Sequence, residues 1–295
     1  MPDHDRFSPS LAFSRNIGWL TNNEQERIAQ VRVGILGAGG VGGQYAEILA
    51  RLGVSHFVIW DPDEFSIENT NRQNQCQAST YGKKKVEVIA ELIRDINPLA
   101  VIHSYPKAMT DEKLDEFCQA IDFYFDGLDF FETDIRISVF RALRRHRRPA
   151  ITVAPVGTGA SALLFTNESM SFDDYFGLHL AKDHVTRSIY FLTGLTPTLM
   201  QRRYLVDQSR TDLAKKQVPS LGIGVYTAAS LAATTFLKVI LQRGTVKLAP
   251  WSLHFDPYLG TLKSRYTFGG YKNPVQRLKR WIAMQVLKIS SRSAS

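Results

Sequence analysis

The residues best suited to chemistry in this chain cluster between Gly37 and Lys85. Gly37, Gly39, Gly40 and Gly42 form a turn between an apolar strand, Val31 to Leu36, and a helix expected over Gln44 to Leu52. The free N–H groups at such a helix start, and the positive end of its dipole, attract a phosphate. A second strand, Phe57 to Trp60, ends in Asp61, where a carboxylate can accept hydrogen bonds from ribose hydroxyls. To that point NAD fits as well as ATP. The polar run that follows separates them: Asp63, Asn69, Asn71, Arg72 and Gln73, then Lys83, Lys84 and Lys85. Arginine and lysine this close to a glycine turn have a use on a triphosphate, and an electron-transfer cofactor needs no such clamp. Nucleotide binding therefore outweighs the plain alternative, a turn that only lets helix and strand pack closely.

The elements that must hold these residues alternate. A short helix follows Thr21 as N-cap. A helix over Lys83 to Arg94 turns Val86, Ile89, Ala90 and Ile93 to one side and stops at Asn97-Pro98. Next come a strand at Leu99 to His103, a helix at Asp111 to Gln119 capped by Thr110, and a strand at Ile121 to Phe125 that runs into Asp126-Gly127-Leu128-Asp129. A helix at Glu132 to Arg145 and a strand at Ala150 to Ala154 complete the series. Repeated strand-helix units predict an α/β, Rossmann-like, mainly parallel sheet wound with helices, whose ligands sit beyond the carboxyl ends of the strands. Gly157 to Phe165 reads as a strand returning antiparallel, and 166–219 as a long, irregular, aromatic-rich excursion. An apolar helix ending at Gly244 as C-cap and closing antiparallel strands at Trp251 to Phe255 and Thr261 to Tyr266 follow. Residues 1–270 are expected to form a single domain, with 271–295 as a basic amphipathic tail.

Composition sets bounds. The chain has 295 residues, 44% of them hydrophobic, and a formal net charge of +8. Such an excess can draw nucleic acid or anionic lipid, but a nucleotide site accounts for part of it and a scattered surplus for the rest. Two cysteines, Cys76 and Cys118, with no CxxC pair, argue against a disulfide framework or a structural zinc and for a reducing, cytoplasmic setting. The N-terminus lacks the apolar core of a signal peptide, and Ile223 to Leu241, broken by Thr227, Ser230, Thr234, Thr235 and Lys238, reads as a buried helix.

With these residues in place the chain resembles the ThiF/MoeB/E1 superfamily of ATP-dependent adenylating enzymes. The resemblance rests on GxGGxG, then Asp61-Pro62-Asp63, Asn69 to Gln73, Gly82 to Lys85, Ile96-Asn97-Pro98 and Asp126 to Asp129, in that order and spacing. It implies ATP and Mg²⁺ as cofactors and no zinc. It places Gly37 to Gly42 under the nucleotide, Asp61 on the ribose, Asn69, Arg72 and Lys85 on the phosphates, and Asp129 on Mg²⁺. Arg15 falls on the family's N-terminal arginine, which reaches the partner's ATP in a homodimer with shared sites. The implied reaction is attack of a substrate carboxylate on the α-phosphorus, giving an acyl-adenylate; the carboxylate is already ionised and no general base is required.

Two departures qualify the match. Phe130 stands where many members carry asparagine after the metal aspartate, and no cysteine lies between Thr166 and Ser295 to form an E1-type thioester. The expected substrate is a carboxylate on a peptide, a small sulfur-carrier or ubiquitin-like protein, or a small molecule, received on the aromatic excursion. The alternatives are modification of tRNA, as in relatives that dehydrate a threonylcarbamoyl base, an NAD(P)-dependent oxidoreductase, and a non-catalytic nucleotide-binding scaffold. Without the resemblance, Asp129 is equally an N-cap for the helix behind it. The run Arg141, Arg144, Arg145, Arg147 and Arg148 suits a helix C-terminus, with an RNA patch as its other reading. In the tail, Leu278, Trp281, Ile282, Val286 and Ile289 share a face, which is expected to pack on the body or a dimer partner in preference to an anionic membrane.

Overall fold

The computed structural model describes residues 7–293, with side chains described through Gln285 within the last helix, so Val286, Lys288 and Ile289 lie outside the described side chains. In chain order the elements are α1 (Pro9–Ala12), α2 (Asn22–Gln30), β1 (Arg32–Leu36), α3 (Gly40–Leu52), β2 (His56–Trp60), α4 (Lys85–Ile96), β3 (Val101–Tyr105), α5 (Leu114–Ala120) and β4 (Phe123–Asp126). They continue with α6 (Thr133–Arg145), β5 (Ala150–Val156), β6 (Gly159–Phe165), α7 (Phe172–Phe176), α8 (His184–Leu195), α9 (Gly222–Leu241), β7 (Trp251–Asp256), β8 (Thr261–Tyr266) and α10 (Pro274–Ser293). The strands form one eight-stranded sheet in the order β3-β2-β1-β4-β5-β6-β7-β8. Pairing is parallel from β3 through β5 and antiparallel from β5 through β8, as the sequence predicts.

Each face of the sheet carries its own apolar layer. On one side Val33, Ile35, Phe57, Phe123 and Phe125 meet Tyr45 and Leu49 of α3, Val86 and Ile89 of α4, and Ala228, Ala232 and Phe236 of α9. The alanines let α9 lie close to the sheet, and Phe236 fills the remaining gap edge-on to Phe123, with ring centroids 5.2 Å apart. By length and composition α9 could cross a membrane, but this inward stripe makes it a core helix. On the other side Leu36, Val58, Tyr124 and Phe165 meet Phe117 of α5, Phe140 of α6, Phe172 and Phe176 of α7, and Phe191 of α8.

That second layer corrects the expected excursion. Its aromatics are not a free surface: Phe172, Tyr175, Phe176 and Phe191 are buried. Ser171 and Asp183 cap α7 and α8 with side-chain hydrogen bonds to Asp174 N and Thr186 N, so the segment is built from helices and is only irregular after Thr196. Boundaries moved elsewhere too. The α3 helix begins at Gly40, not Gln44, because Gly42 packs against Gly37 O, where an added Cβ would stand at 1.8 Å. Thr110 makes no side-chain cap, and a 3₁₀ turn, Asp111–Lys113, precedes α5. The left-handed residue that ends α9 is Gln242, with Gly244 two positions beyond.

Two titratable groups are buried on β7 at the antiparallel end, Asp256 and His254. His254 on β7 is fully buried and hydrogen-bonded through Nδ1 to Thr198 Oγ1, and burial pulls its pKa from 6.5 down to about 4. Below pH 6.5 the unfolded chain binds a proton that the folded one refuses, so stability is lost as pH falls from 6.5 towards 4. At 1.36 kcal/mol per pKa unit the loss approaches roughly 3 kcal/mol. Urea unfolding across that window is expected to show this slope, and His254→Gln to flatten it.

Candidate functional site

The candidate site lies where the sheet order reverses, between β1 and β4, beyond the strand ends. Backbone contacts knit the three strand ends together. Gly37 N donates to Trp60 O at 2.8 Å and Gly127 N to Leu36 O at 2.9 Å. Gly37 has φ +88°, and a Cβ there would stand 2.1 Å from Gly127 O, so glycine is required twice over. The first turn of α3 directs its unpaired N–H groups out of this junction.

Asp61 braces the turn. Its Oδ2 accepts from Ala38 N at 2.6 Å and its Oδ1 from Asp63 N at 2.8 Å. Burial raises its pKa, partly offset by those two hydrogen bonds and by Lys85. Each oxygen keeps a lone pair for a ribose hydroxyl, but the carboxylate has a structural task that the sequence did not show. Asn69 likewise has two tasks: its Oδ1 caps the 3₁₀ turn Ile67–Asn69 by accepting from Ser66 N at 3.2 Å, which leaves Nδ2 as the group for an anion.

Lys85 is the first residue of α4 and is largely buried, its side chain 7% exposed, with Nζ 2.9 Å from Asp63 Oδ2. Asp63 is 62% exposed, so this pair holds the ammonium at the edge of the site. Arg72 is half-buried, and its Nη1 donates to Glu68 O at 2.9 Å and Asn71 Oδ1 at 3.0 Å. Asn71 Nδ2 in turn donates to Ser220 O at 3.0 Å, joining the loop to the start of α9. Gln73 is buried behind Gly39 with Oε1 unpartnered, and the Oε1 atoms of Gln44 and Gln75 are in the same condition among the described residues. Lys84 reaches Glu64 at 3.1 Å in a pair that stays open to solvent.

Asp129 is exposed, and its Oδ1 accepts from Phe131 N at 2.9 Å. It does not cap α6, whose N-cap is Glu132. Among the described residues no three carboxylate, His or Cys side chains gather as a metal cage. One exposed carboxylate is enough for Mg²⁺ where substrate phosphates and waters supply its other ligands. Phe130 packs at 5.5 Å on Phe191 of α8, so the position after the aspartate serves packing and offers no polar contact.

The residue that sequence reasoning missed is Arg136. Its Nε lies 2.9 Å from Asp126 Oδ2, both side chains being buried. Its Nη2 donates to Leu128 O at 2.7 Å and Asp129 O at 3.0 Å, and its guanidinium lies 4.5 Å from the Phe191 ring centroid. Arg136 thereby sets the backbone that presents Asp129. Its spacing, one helical turn into α6 behind an Asp-rich loop, was the only available signal.

Arg15 is exposed in the 3₁₀ turn Ser14–Asn16. The neighbouring Asn16 binds Leu52 O at 3.3 Å, at the C-terminal end of α3. The glycine turn is at the other end of that helix, about 18 Å away at 1.5 Å per residue, so Arg15 does not serve its own chain's site. Both cysteines are buried: Cys76 Sγ donates to Ser66 O at 3.2 Å, and burial pushes the Cys118 thiol up to about 12. Neither is placed as a thioester nucleophile. The arginine run on α6 is largely engaged within the fold, Arg141 with Asp173 at 2.6 Å, Arg145 with Asp115 at 3.1 Å and Arg148 with Asp122 at 3.5 Å, which weakens its reading as an RNA patch.

The sequence profile of the ThiF family matches residues 13–274. The chain belongs to the ThiF family. Membership places it among E1-like, ATP-dependent enzymes of the adenylyltransferase type and sets aside the nicotinamide reading. It is 36% identical over 118 residues to the tRNA threonylcarbamoyladenosine dehydratase of Bacillus subtilis, covering 40% of this chain and 46% of that protein. The chain spans about half the length of the curated dehydratases it matches. Among solved structures it resembles E. coli MccB with ATP (TM-score 0.65, 18% identity, 86% of this chain and 70% of that one). It also resembles E. coli tRNA N6-threonylcarbamoyladenosine dehydratase, TcdA (TM-score 0.56, 19% identity, 79% and 95%). Those two likenesses establish the fold.

Removing one partner of a buried ion pair costs about 3–5 kcal/mol. Arg136→Met is expected to destabilise the chain by that order in urea unfolding, and Asp126→Asn in the same chain to restore part of the loss.

Proposed function

We propose that the chain is a Mg-ATP-dependent adenylyltransferase that activates a carboxylate without an enzyme thioester. What supports this is the family match together with a glycine turn at the sheet reversal, the cations Arg72 and Lys85 on the segments that follow it, and the exposed carboxylate of Asp129. The carboxylate oxygen attacks the α-phosphorus, the bond to the β-phosphate oxygen breaks, and pyrophosphate leaves. Arg72 and Lys85 neutralise its charge, with Lys85 exchanging Asp63 for phosphate oxygens. Asp129 would hold Mg²⁺, which neutralises charge on the phosphates. Arg15 acts in the partner's site of a homodimer, because its own site is a helix length away.

For the substrate, the tRNA-modifying reading now leads the peptide, carrier-protein or small-molecule carboxylate first expected, since three of the matched relatives, the 36% identical one among them, are tRNA threonylcarbamoyladenosine dehydratases, although a sulfur carrier protein adenylyltransferase and ubiquitin-like modifier-activating enzymes match as well. A threonylcarbamoyl group carries both a free carboxylate and internal nucleophiles. Adenylation turns the carboxyl oxygen into a leaving group, and an internal attack then expels AMP. The substrate thus loses the elements of water while ATP becomes AMP and pyrophosphate.

AMP release is the test. The account expects AMP formation with threonylcarbamoylated tRNA and none with the unmodified tRNA. Asp129→Ala is expected to lower the rate by a hundredfold or more, as for loss of a group stabilising transition-state charge. Replacing both cysteines by alanine should leave it within about twofold, since a thioester nucleophile would be indispensable. AMP release with a peptide or carrier-protein carboxylate and none with that tRNA would return the first reading. Loss of activity in the cysteine-free chain, if still folded, would contradict the thioester-free mechanism.

A further inference from the structure

The net charge of the chain is not scattered. Residues 243–295 contain ten of the 36 Lys and Arg residues and one of the 28 acidic ones, Asp256, which is buried. The other 242 residues carry 26 basic against 27 acidic side chains. The whole excess therefore belongs to the C-terminal segment from Arg243 onward, which includes β7, β8 and α10.

The way α10 docks overturns the expectation that its apolar face packs on the body of its own chain. Its polar side faces the body: Gln276 and Arg280 are buried, Arg280 lying 4.2 Å from the Tyr190 ring centroid of α8, and Lys279 donates to Pro197 O. Val275, Leu278, Trp281 and Ile282, spaced three and four apart along the helix, point outward, with Leu278 and Trp281 each 55% exposed. Exposed Lys272 and Arg277 flank this stripe. An apolar helix face turned to water and bordered by cations has a definite complement.

We propose that the outer face of α10 docks the protein on an anionic lipid bilayer, with Leu278, Trp281 and Ile282 entering the headgroup boundary and Lys272 and Arg277 meeting lipid phosphates. RNA shares the phosphates but gives no use to exposed valine, leucine and isoleucine; single-strand binding relies on aromatic stacking and basic grooves. Tryptophan is enriched at the depth where hydrocarbon meets headgroups. A basic residue near an anionic surface strengthens partitioning by roughly fivefold, and the effect falls with salt.

The test is co-sedimentation of the full chain with vesicles of phosphatidylcholine alone and of phosphatidylcholine with phosphatidylglycerol. Binding is expected to the anionic vesicles and not to the neutral ones, and to weaken with salt. Leu278→Ala with Trp281→Ala should abolish it, and Lys272→Glu with Arg277→Glu should reduce it by roughly tenfold or more. Both pairs are exposed, so the melting temperature and AMP release should be unchanged. Three results would overturn the assignment: no preference for the anionic vesicles, vesicle binding unaffected by Leu278→Ala with Trp281→Ala, or dissociation of a dimer by that double substitution, which would give the face to a second copy. Tight RNA binding lost in the charge-reversed chain, without vesicle binding by the wild type, would give it to RNA.

Discussion

Much of the site depends on one buried ion pair. Asp126 ends the central strand β4 beside Gly127, whose carbonyl is pressed against Gly37, and Arg136 answers it from the first turns of α6. Two buried charges are costly unless their remaining hydrogen-bonding capacity is satisfied. Here it is: Asp126 also meets the Tyr124 hydroxyl at 3.4 Å and Leu128 N at 3.3 Å, while Arg136 also binds the carbonyls of Leu128, Asp129 and Glu132. The arrangement fixes the loop that carries Asp129 relative to the glycine turn. Through the contact of Arg136 with Phe191 it also fixes the helical excursion against the site.

A second constraint is the division of labour within the polar residues. Asp61, Asn69 and Asp63 each spend part of their hydrogen-bonding capacity on the fold, bracing the turn, capping a 3₁₀ helix and holding Lys85. Residues that are already oriented by the protein need little reorganisation when a charged ligand arrives. The unpartnered amide oxygens of Gln44, Gln73 and Gln75 beside the turn are the converse: buried acceptors in this position are costly when left unpaired.

The parallel half of the sheet was legible because each element is punctuated: glycine turn, strand-end aspartate, Asn97-Pro98, the loop from Asp126 to Asp129. The antiparallel return at Gly157 to Phe165 was legible too, whereas the strand order came only from the structure. The excursion was not legible, since periodicity alone does not distinguish a substrate surface from a second core layer. Its aromatics proved to be core because α7 and α8 complete, beside α5 and α6, the cover of the sheet face opposite α3 and α9. The early start of α3 was hidden because glycine propensity argues against helix, and only the close approach of Gly42 to Gly37 explains it. Arg136 was missed because a helix arginine is ordinarily exposed, and the outward apolar face of α10 because an amphipathic pattern does not say which side docks.

The central claim is that this site is a triphosphate clamp, and calorimetry tests it most directly. The account predicts that Mg-ATP binds the wild-type chain, that Arg72→Ala weakens it by at least roughly tenfold, as expected when charge-assisted hydrogen bonds to phosphate are lost, and that NAD gives no heat. Binding of NAD, or ATP binding indifferent to Arg72, would contradict it, and the family likeness would then describe the fold without its chemistry.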